Sequence, residues 1–162
     1  MNKKFLITLL TSSNEKLLKL SYDSVVNQKN HNIDYTIIIV VNSLNSDYYQ
    51  NVCNEFTNID VEIIQTKSNG KPGMGHNSLF KIFYEKTNFD YMISLDGDDF
   101  LYPYALHQLQ KCFTINQHLD VVSIYGNDTL RSFNNSDSQA DIYLTNNFYL
   151  RMGYNIPKIF HE

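Results

Sequence analysis

At 162 residues, with 43% hydrophobic side chains, 12 tyrosines, 10 phenylalanines and no tryptophan, the chain suits one globular domain with a substantial core. A formal net charge of −4 gives no general electrostatic reason to bind nucleic acid or an anionic membrane surface. Its two cysteines, Cys53 and Cys112, lack metal-like spacing and read as reduced thiols in a cytoplasmic protein, and no segment approaches transmembrane length.

The start, Met1-Asn2-Lys3-Lys4-Phe5, has the basic opening of a signal peptide, but its apolar run is short and no small-residue cleavage site follows. Residues 5–10 therefore read as a first strand, ended by the polar turn Thr11-Ser12-Ser13-Asn14. From Glu15, the spacing of Leu17, Leu18, Leu20, Tyr22, Val25 and Val26 predicts a helix with one apolar face, capped by Ser13 or Asn14 and broken at Asn30-His31-Asn32. Residues 35–41 are an uninterrupted β-branched run, the pattern of a strand covered on both faces. The run stops at Asn42-Ser43-Leu44-Asn45-Ser46-Asp47, and a shorter helix reaches to about Phe56. Residues 61–64 give a third strand, residues 68–77 a glycine-rich loop, and Leu79, Phe80, Ile82 and Phe83 the face of another helix.

Residues 91–95 are short, apolar and bounded by acids, which predicts a buried fourth strand. A helix over 103–113 with Pro103 in its first turn follows, then a fifth strand over 120–125 ending in Gly126-Asn127-Asp128. Strands alternating with helices predict an α/β, Rossmann-like doubly wound sheet, mostly parallel. The pattern fades from Thr129, so 5–128 is the expected core and 129–162 an irregular segment of a single domain spanning 1–162.

The fourth strand runs directly into Asp96, Gly97, Asp98 and Asp99. Like charges crowded at a strand end repel one another and resist desolvation. A divalent cation reverses that cost, because Mg²⁺ or Mn²⁺ prefers oxygen ligands and needs only one or two carboxylates beside phosphate oxygens. The alternative is a turn with surplus acid, since Asp and Gly both favour turns and helix caps. The preceding strand, the third acid and the following helix favour a metal-diphosphate site.

Two other stretches compete with plain structural readings. The loop Gly70-Lys71-Pro72-Gly73-Met74-Gly75 could cradle phosphate between strand and helix, with Lys71 and His76 supplying charge, or be a flexible turn. It matches neither the Walker pattern nor the dinucleotide fingerprint. The cluster from Asn42 to Asp47 could meet a base or ribose, or cap the next helix through Asn45, Ser46 or Asp47. An EF-hand would need an oxygen ligand at Phe100 and Glu at His107. No Gly-x-Ser-x-Gly elbow and no zinc-type histidine spacing is present.

Taken together, several segments resemble the family 2 glycosyltransferases of GT-A fold. Leu10-Thr11-Ser12-Ser13-Asn14-Glu15, with Leu17 and Ser24-Val25-Val26-Asn27-Gln28, is similar to that family's Pro-Thr-Tyr-Asn opening and its Ser-Val-x-x-Gln. Val41-Asn42-Ser43-Leu44-Asn45-Ser46-Asp47 sits where the family has Val-Asp-Asp-Gly-Ser-x-Asp, and Gly73-Met74-Gly75-His76-Asn77 resembles Gly-x-Ala-Arg-Asn. Leu95-Asp96-Gly97-Asp98-Asp99 through Pro103 is similar to Leu-Asp-x-Asp-Asp-x-x-x-Pro. The resemblance runs from about Phe5 to Leu109.

The resemblance implies a nucleotide-sugar donor, a UDP-sugar, and Mn²⁺ or Mg²⁺ at Asp96 and Asp98, with Asp99 beside them. Donor contacts are implied at Thr11, Ser13, Asn14, Asn42, Ser43, Lys71, His76, Asn77, Asp96, Gly97, Asp98 and Asp99. Thr11 and Ser13 replace the family's proline and tyrosine, Asn42 and Ser43 its acids, and His76 its arginine. An imidazole is a weaker, pH-dependent phosphate partner than a permanent guanidinium. The family's acceptor side and general base lie well downstream, where Asp128, Asp137, Asp141 and Glu162 remain, and Asp128 is the candidate base. Two expectations stay open for the acceptor-side half, present or missing. The alternatives to a transferase are a non-catalytic nucleotide-sugar-binding module and a sugar-phosphate nucleotidyltransferase.

Overall fold

The computed structural model describes residues 3–115. Its elements alternate: β1 (Lys4–Thr11), α1 (Glu15–Val26), β2 (Asp34–Val41), α2 (Ser46–Glu55), β3 (Glu62–Gln65), α3 (Pro72–Glu85), β4 (Tyr91–Asp96) and α4 (Ala105–Ile115). The four described strands make one parallel sheet in the order β3-β2-β1-β4. The chain steps outward from β1 to β3 and then returns to the other side of β1 for β4, so strand order reverses between β1 and β4. In open parallel sheets that reversal leaves a crevice at the carboxyl ends of the strands, where ligands bind.

The core follows from side-chain alternation along the strands. Leu6, Leu10, Ile38 and Val40 share one face with Leu79 of α3, and Ile82, Phe83 and Met92 pack around them. Thr11 looks to the opposite face, where its hydroxyl meets that of Tyr48 on α2. On that side Tyr22 of α1 meets Phe56 edge to face, with ring centroids 5.2 Å apart. Every residue of β1 after Lys4 is buried, as a strand with helices on both faces must be. Each of its leucines contributes about 1.5–3 kcal/mol by leaving water.

The helix starts follow their caps. Asn14, in the left-handed region at φ 65°, accepts from the amide of Leu17, and Asn45 accepts from those of Asp47 and Tyr48. The expected glycine-rich loop over 68–77 is corrected: α3 already begins at Pro72, so Gly73, Met74, Gly75, His76 and Asn77 lie on the helix. Proline at the first helical position presets φ and surrenders an amide that has no helical partner there. Gly75 is tolerated because it is buried in close contact with Asn42 and Leu10. Pro103 likewise falls in a turn just before α4 rather than inside it. β4 is less buried than expected, with Leu95 its one buried residue, because it is the outer strand of the described sheet.

The described chain divides into two compact units, residues 3–28 with 32–103 and residues 29–31 with 104–115. The first holds the sheet, α1 to α3 and the acidic turn. In the second, His107 Nδ1 pairs with the carbonyl of Asn30, and the Lys29 ammonium lies 5.9 Å from the centroid of the Tyr104 ring. Cys53 and Cys112 are both half-buried and are not joined in a disulfide. No helix among the described residues is long and apolar enough to cross a membrane. The expected fifth strand over 120–125, the candidate base Asp128, Asp137, Asp141, Glu162 and the segment 129–162 lie outside the described residues.

Candidate functional site

Because every described strand is parallel, β1, β2, β3 and β4 all end at one edge, and α1, α2 and α3 begin there. The acidic turn is fixed to the end of β1. Asp96 is in register with Leu10, and the next amide, Gly97 N, donates to the Leu10 carbonyl at 2.7 Å. A Cβ on Gly97 would lie 2.9 Å from Thr11 Cβ and 3.1 Å from that same carbonyl, so only glycine fits so close to β1. The chain then turns back on itself, with the Asp99 amide donating to the Asp96 carbonyl at 3.0 Å. Asp98 and Asp99 are exposed and Asp96 half-buried.

Across from this turn stands the first part of α3. His76 Nε2 lies 3.6 Å from Asp96 Oδ1, an ion pair when the imidazole is protonated, and the two side chains are 41% and 48% exposed. Lys71 is the exposed residue before the helix, and no side chain caps this N-terminus. Asn77 is exposed on the same helix. Helix N-termini favour anions through unpaired amides and the aligned peptide dipoles. The edge therefore brings the Asp96 carboxylate, on a tight turn with Asp98 and Asp99, beside an imidazole near a helix start.

Not every residue expected to touch a ligand faces outward. Asn42 is 2% exposed. Its Oδ1 accepts from Thr66 Oγ1 and the Gly70 amide, both at 3.3 Å, and its Nδ2 donates to the Lys71 carbonyl at 3.2 Å. Ser43 is also buried, its Oγ accepting from the Asn45 amide at 3.2 Å. Thr11 is buried, with its hydroxyl shared between Tyr48 and the Ser13 carbonyl. Ser13 and Asn14 are exposed, Asn14 serving as the α1 cap.

Three residues that hold this edge carry little signal of their own in the sequence. Tyr48 braces Thr11 from α2, and burial pushes its phenol pKa up, while the Thr11 bond works the other way. Ser24 near the end of α1 and Gln28, two residues beyond it, secure the segment after the acids: Ser24 Oγ accepts from the Leu101 amide at 3.0 Å, and Gln28 Nε2 donates to the Tyr102 carbonyl at 2.6 Å. Both belong to the Ser24-Val25-Val26-Asn27-Gln28 segment, where hydrophobic spacing marks only the valines.

Among the described residues no group of three or more His, Cys, Asp or Glu side chains could enclose a metal. A closed all-protein cage is therefore not what this edge offers. Asp96 and Asp98 on one short turn do fit a hard cation that takes its remaining oxygens from phosphate and water.

Fold and edge together define a parallel α/β domain whose strand order reverses between β1 and β4, the place where open sheets of this kind bind ligands. The sequence matches glycosyl transferase family 2 over residues 7–161. The chain belongs to that family of transferases. Among solved structures it is similar to S. aureus TarS, with TM-score 0.57 and 17% identity over 80% of this chain and 23% of that one. It is also similar to S. aureus TarS 1-349 in complex with UDP (TM-score 0.56, 18% identity, 70% of this chain and 33% of that one). A third likeness is to the same fragment in complex with UDP-GlcNAc (TM-score 0.51, 19% identity, 71% and 32%). At these identities the likeness speaks to the GT-A fold, and the chain spans about a third or less of the TarS chains. No curated protein matches the chain.

Proposed function

We propose that this chain binds a nucleotide-sugar donor, a UDP-sugar, at the β1–β4 edge and transfers the sugar to an acceptor hydroxyl. The observation that carries the reading is the acidic turn itself, tied to the end of β1 through Gly97 and facing His76 at the start of α3. Family membership supports the reaction class, and the UDP and UDP-GlcNAc complexes of S. aureus TarS support the donor.

In this reading Asp98 and Asp96 hold Mn²⁺ or Mg²⁺, which supplies Lewis-acid stabilisation of the charge that develops on the diphosphate leaving group. Lys71, His76 and the α3 N-terminus stabilise the same charge from the other side. Ser13 and Asn14 border the donor from the β1–α1 turn, with Asn77 and Asp99 at the rim. Thr11, Gly97 and Ser43 shape the edge from within. A carboxylate removes the acceptor proton, and Asp128 is the candidate.

Calorimetric titration with UDP and UDP-GlcNAc, with and without Mn²⁺, followed by assay of donor hydrolysis, tests this. Metal-dependent UDP binding with turnover supports it. Metal-dependent binding with no turnover on any acceptor favours the binding module. Release of pyrophosphate from a nucleoside triphosphate and a sugar phosphate favours the nucleotidyltransferase.

A further inference from the structure

The least expected side chain at this edge is Asn42. Its backbone amide donates to the Thr11 carbonyl and its carbonyl accepts from Gly70, each at 2.6 Å. Its side chain then uses both ends of the amide. Oδ1 accepts from Thr66 and Gly70, and Nδ2 donates to the Lys71 carbonyl. A Cβ at Gly75 would lie 2.5 Å from that same Nδ2, so α3 seats its first turn directly on the amide. One buried residue thus joins β1, β2, the β3–α3 connection and the start of α3.

We propose that Asn42 is a positioning residue for the donor diphosphate: it acts through Gly70, Lys71 and the first turn of α3, setting them opposite the acidic turn without touching the ligand. The proposal rests on the donor site placed at this edge above. The chemistry at position 42 is selective because the pocket asks for one acceptor and one donor. A carboxylate there keeps the acceptor for Thr66 and Gly70 but turns an oxygen on the Lys71 carbonyl, where two acceptors repel. The groups bonded to Asn42 are neutral. On the segments around it the titratable side chains are Lys67 and Lys71, both exposed, the half-buried His76 with Asp96 3.6 Å beyond it, and on the β2–α2 side the exposed Asp47 and buried Tyr48. A carboxyl buried in this place is held protonated well above its usual range, and in that form it regains a donor for Lys71.

The test is UDP binding in the presence of Mn²⁺ by the wild type, Asn42→Asp and Asn42→Ala, each compared with the wild type at the same pH. At pH about 7.5 both variants should bind about tenfold more weakly or worse, the cost of a buried polar group left without its partner. At pH about 5.5 Asn42→Asp should return to within about threefold of the wild type while Asn42→Ala does not, since only the acid can take up the missing proton. Equal losses in both variants at both pH values, or no loss in either, overturn the proposal. If Asn42→Ala fails to fold, the recovery of Asn42→Asp on acidification still decides the matter. Amide hydrogen exchange separates this inference from the donor site. If the wild type binds no UDP, the donor reading fails. Faster exchange in Asn42→Asp at Gly75, whose amide donates to the Lys71 carbonyl at 2.9 Å, with β1 unchanged, still supports the tether, and unchanged exchange at Gly75 overturns it.

Discussion

The amide of Gly97 lies 2.7 Å from the carbonyl of Leu10, closing the end of β4 onto the end of β1 one residue after Asp96. Everything proposed for the acidic turn depends on that contact, because it puts the carboxylates at the point where strand order reverses. A methyl group at position 97 meets backbone and a Cβ, neither of which can swing aside. Gly97→Ala should therefore destabilise the fold by about 1–3 kcal/mol, as overpacking does. Urea denaturation of the wild type and the variant measures this, and a change within about 0.5 kcal/mol would contradict the close fit.

Tyr48 and Thr11 give a second prediction. Tyr48→Phe removes a buried hydroxyl pair between α2 and β1 and should cost about 0.5–1.5 kcal/mol. The alkaline limb of stability tests the same contact. Burial raises the Tyr48 pKa above its ordinary value of 10.0. The unfolded chain therefore loses the proton first, and the contribution is complete below pH 10.0 and disappears as pH rises through the folded pKa. Tyr22 and Tyr35 are shifted the same way by burial and keep part of that limb in the variant. The slope of stability against pH above 10.0 should be shallower in Tyr48→Phe than in the wild type.

The α1 brace gives a third. Ser24→Ala and Gln28→Ala each remove one bond to the segment that follows the acids. Each should cost about 0.5–1.5 kcal/mol of stability. If the brace positions the turn, each should also weaken Mn²⁺-linked UDP binding more than metal-free binding. Calorimetry in both conditions checks this, and equal weakening in the two would make the brace purely structural.

Much of this architecture is legible in the sequence because strands and caps are local. The β-branched run of β2, the Asn14 and Asn45 caps and the acids directly after Leu95 mark their elements without help from the rest of the chain. What escapes is set by contacts between distant segments. Gly73 and Gly75 suggest a loop by composition, yet they lie on α3, because Pro72 starts the helix and the absent Gly75 side chain makes room for Asn42. Asn42 reads as a ligand contact by its place in a motif, yet three neighbours distant in sequence draw its amide inward. Ser24 and Gln28 look like ordinary helix surface until the segment at Leu101 and Tyr102 closes over them. Position in a motif locates the edge, and packing decides which residues face the ligand.

The central claim is that carboxylates at the end of β4 hold a cation shared with a donor diphosphate, and Asp98→Asn tests it most directly. Asp98 is exposed, so the substitution should leave stability within about 0.5 kcal/mol of the wild type. UDP should be titrated into both proteins with and without Mn²⁺. The account predicts that Mn²⁺ tightens UDP binding to the wild type by tenfold or more, on the order of 1.4 kcal/mol, and leaves binding to Asp98→Asn unchanged. Equal tightening in both proteins would contradict it.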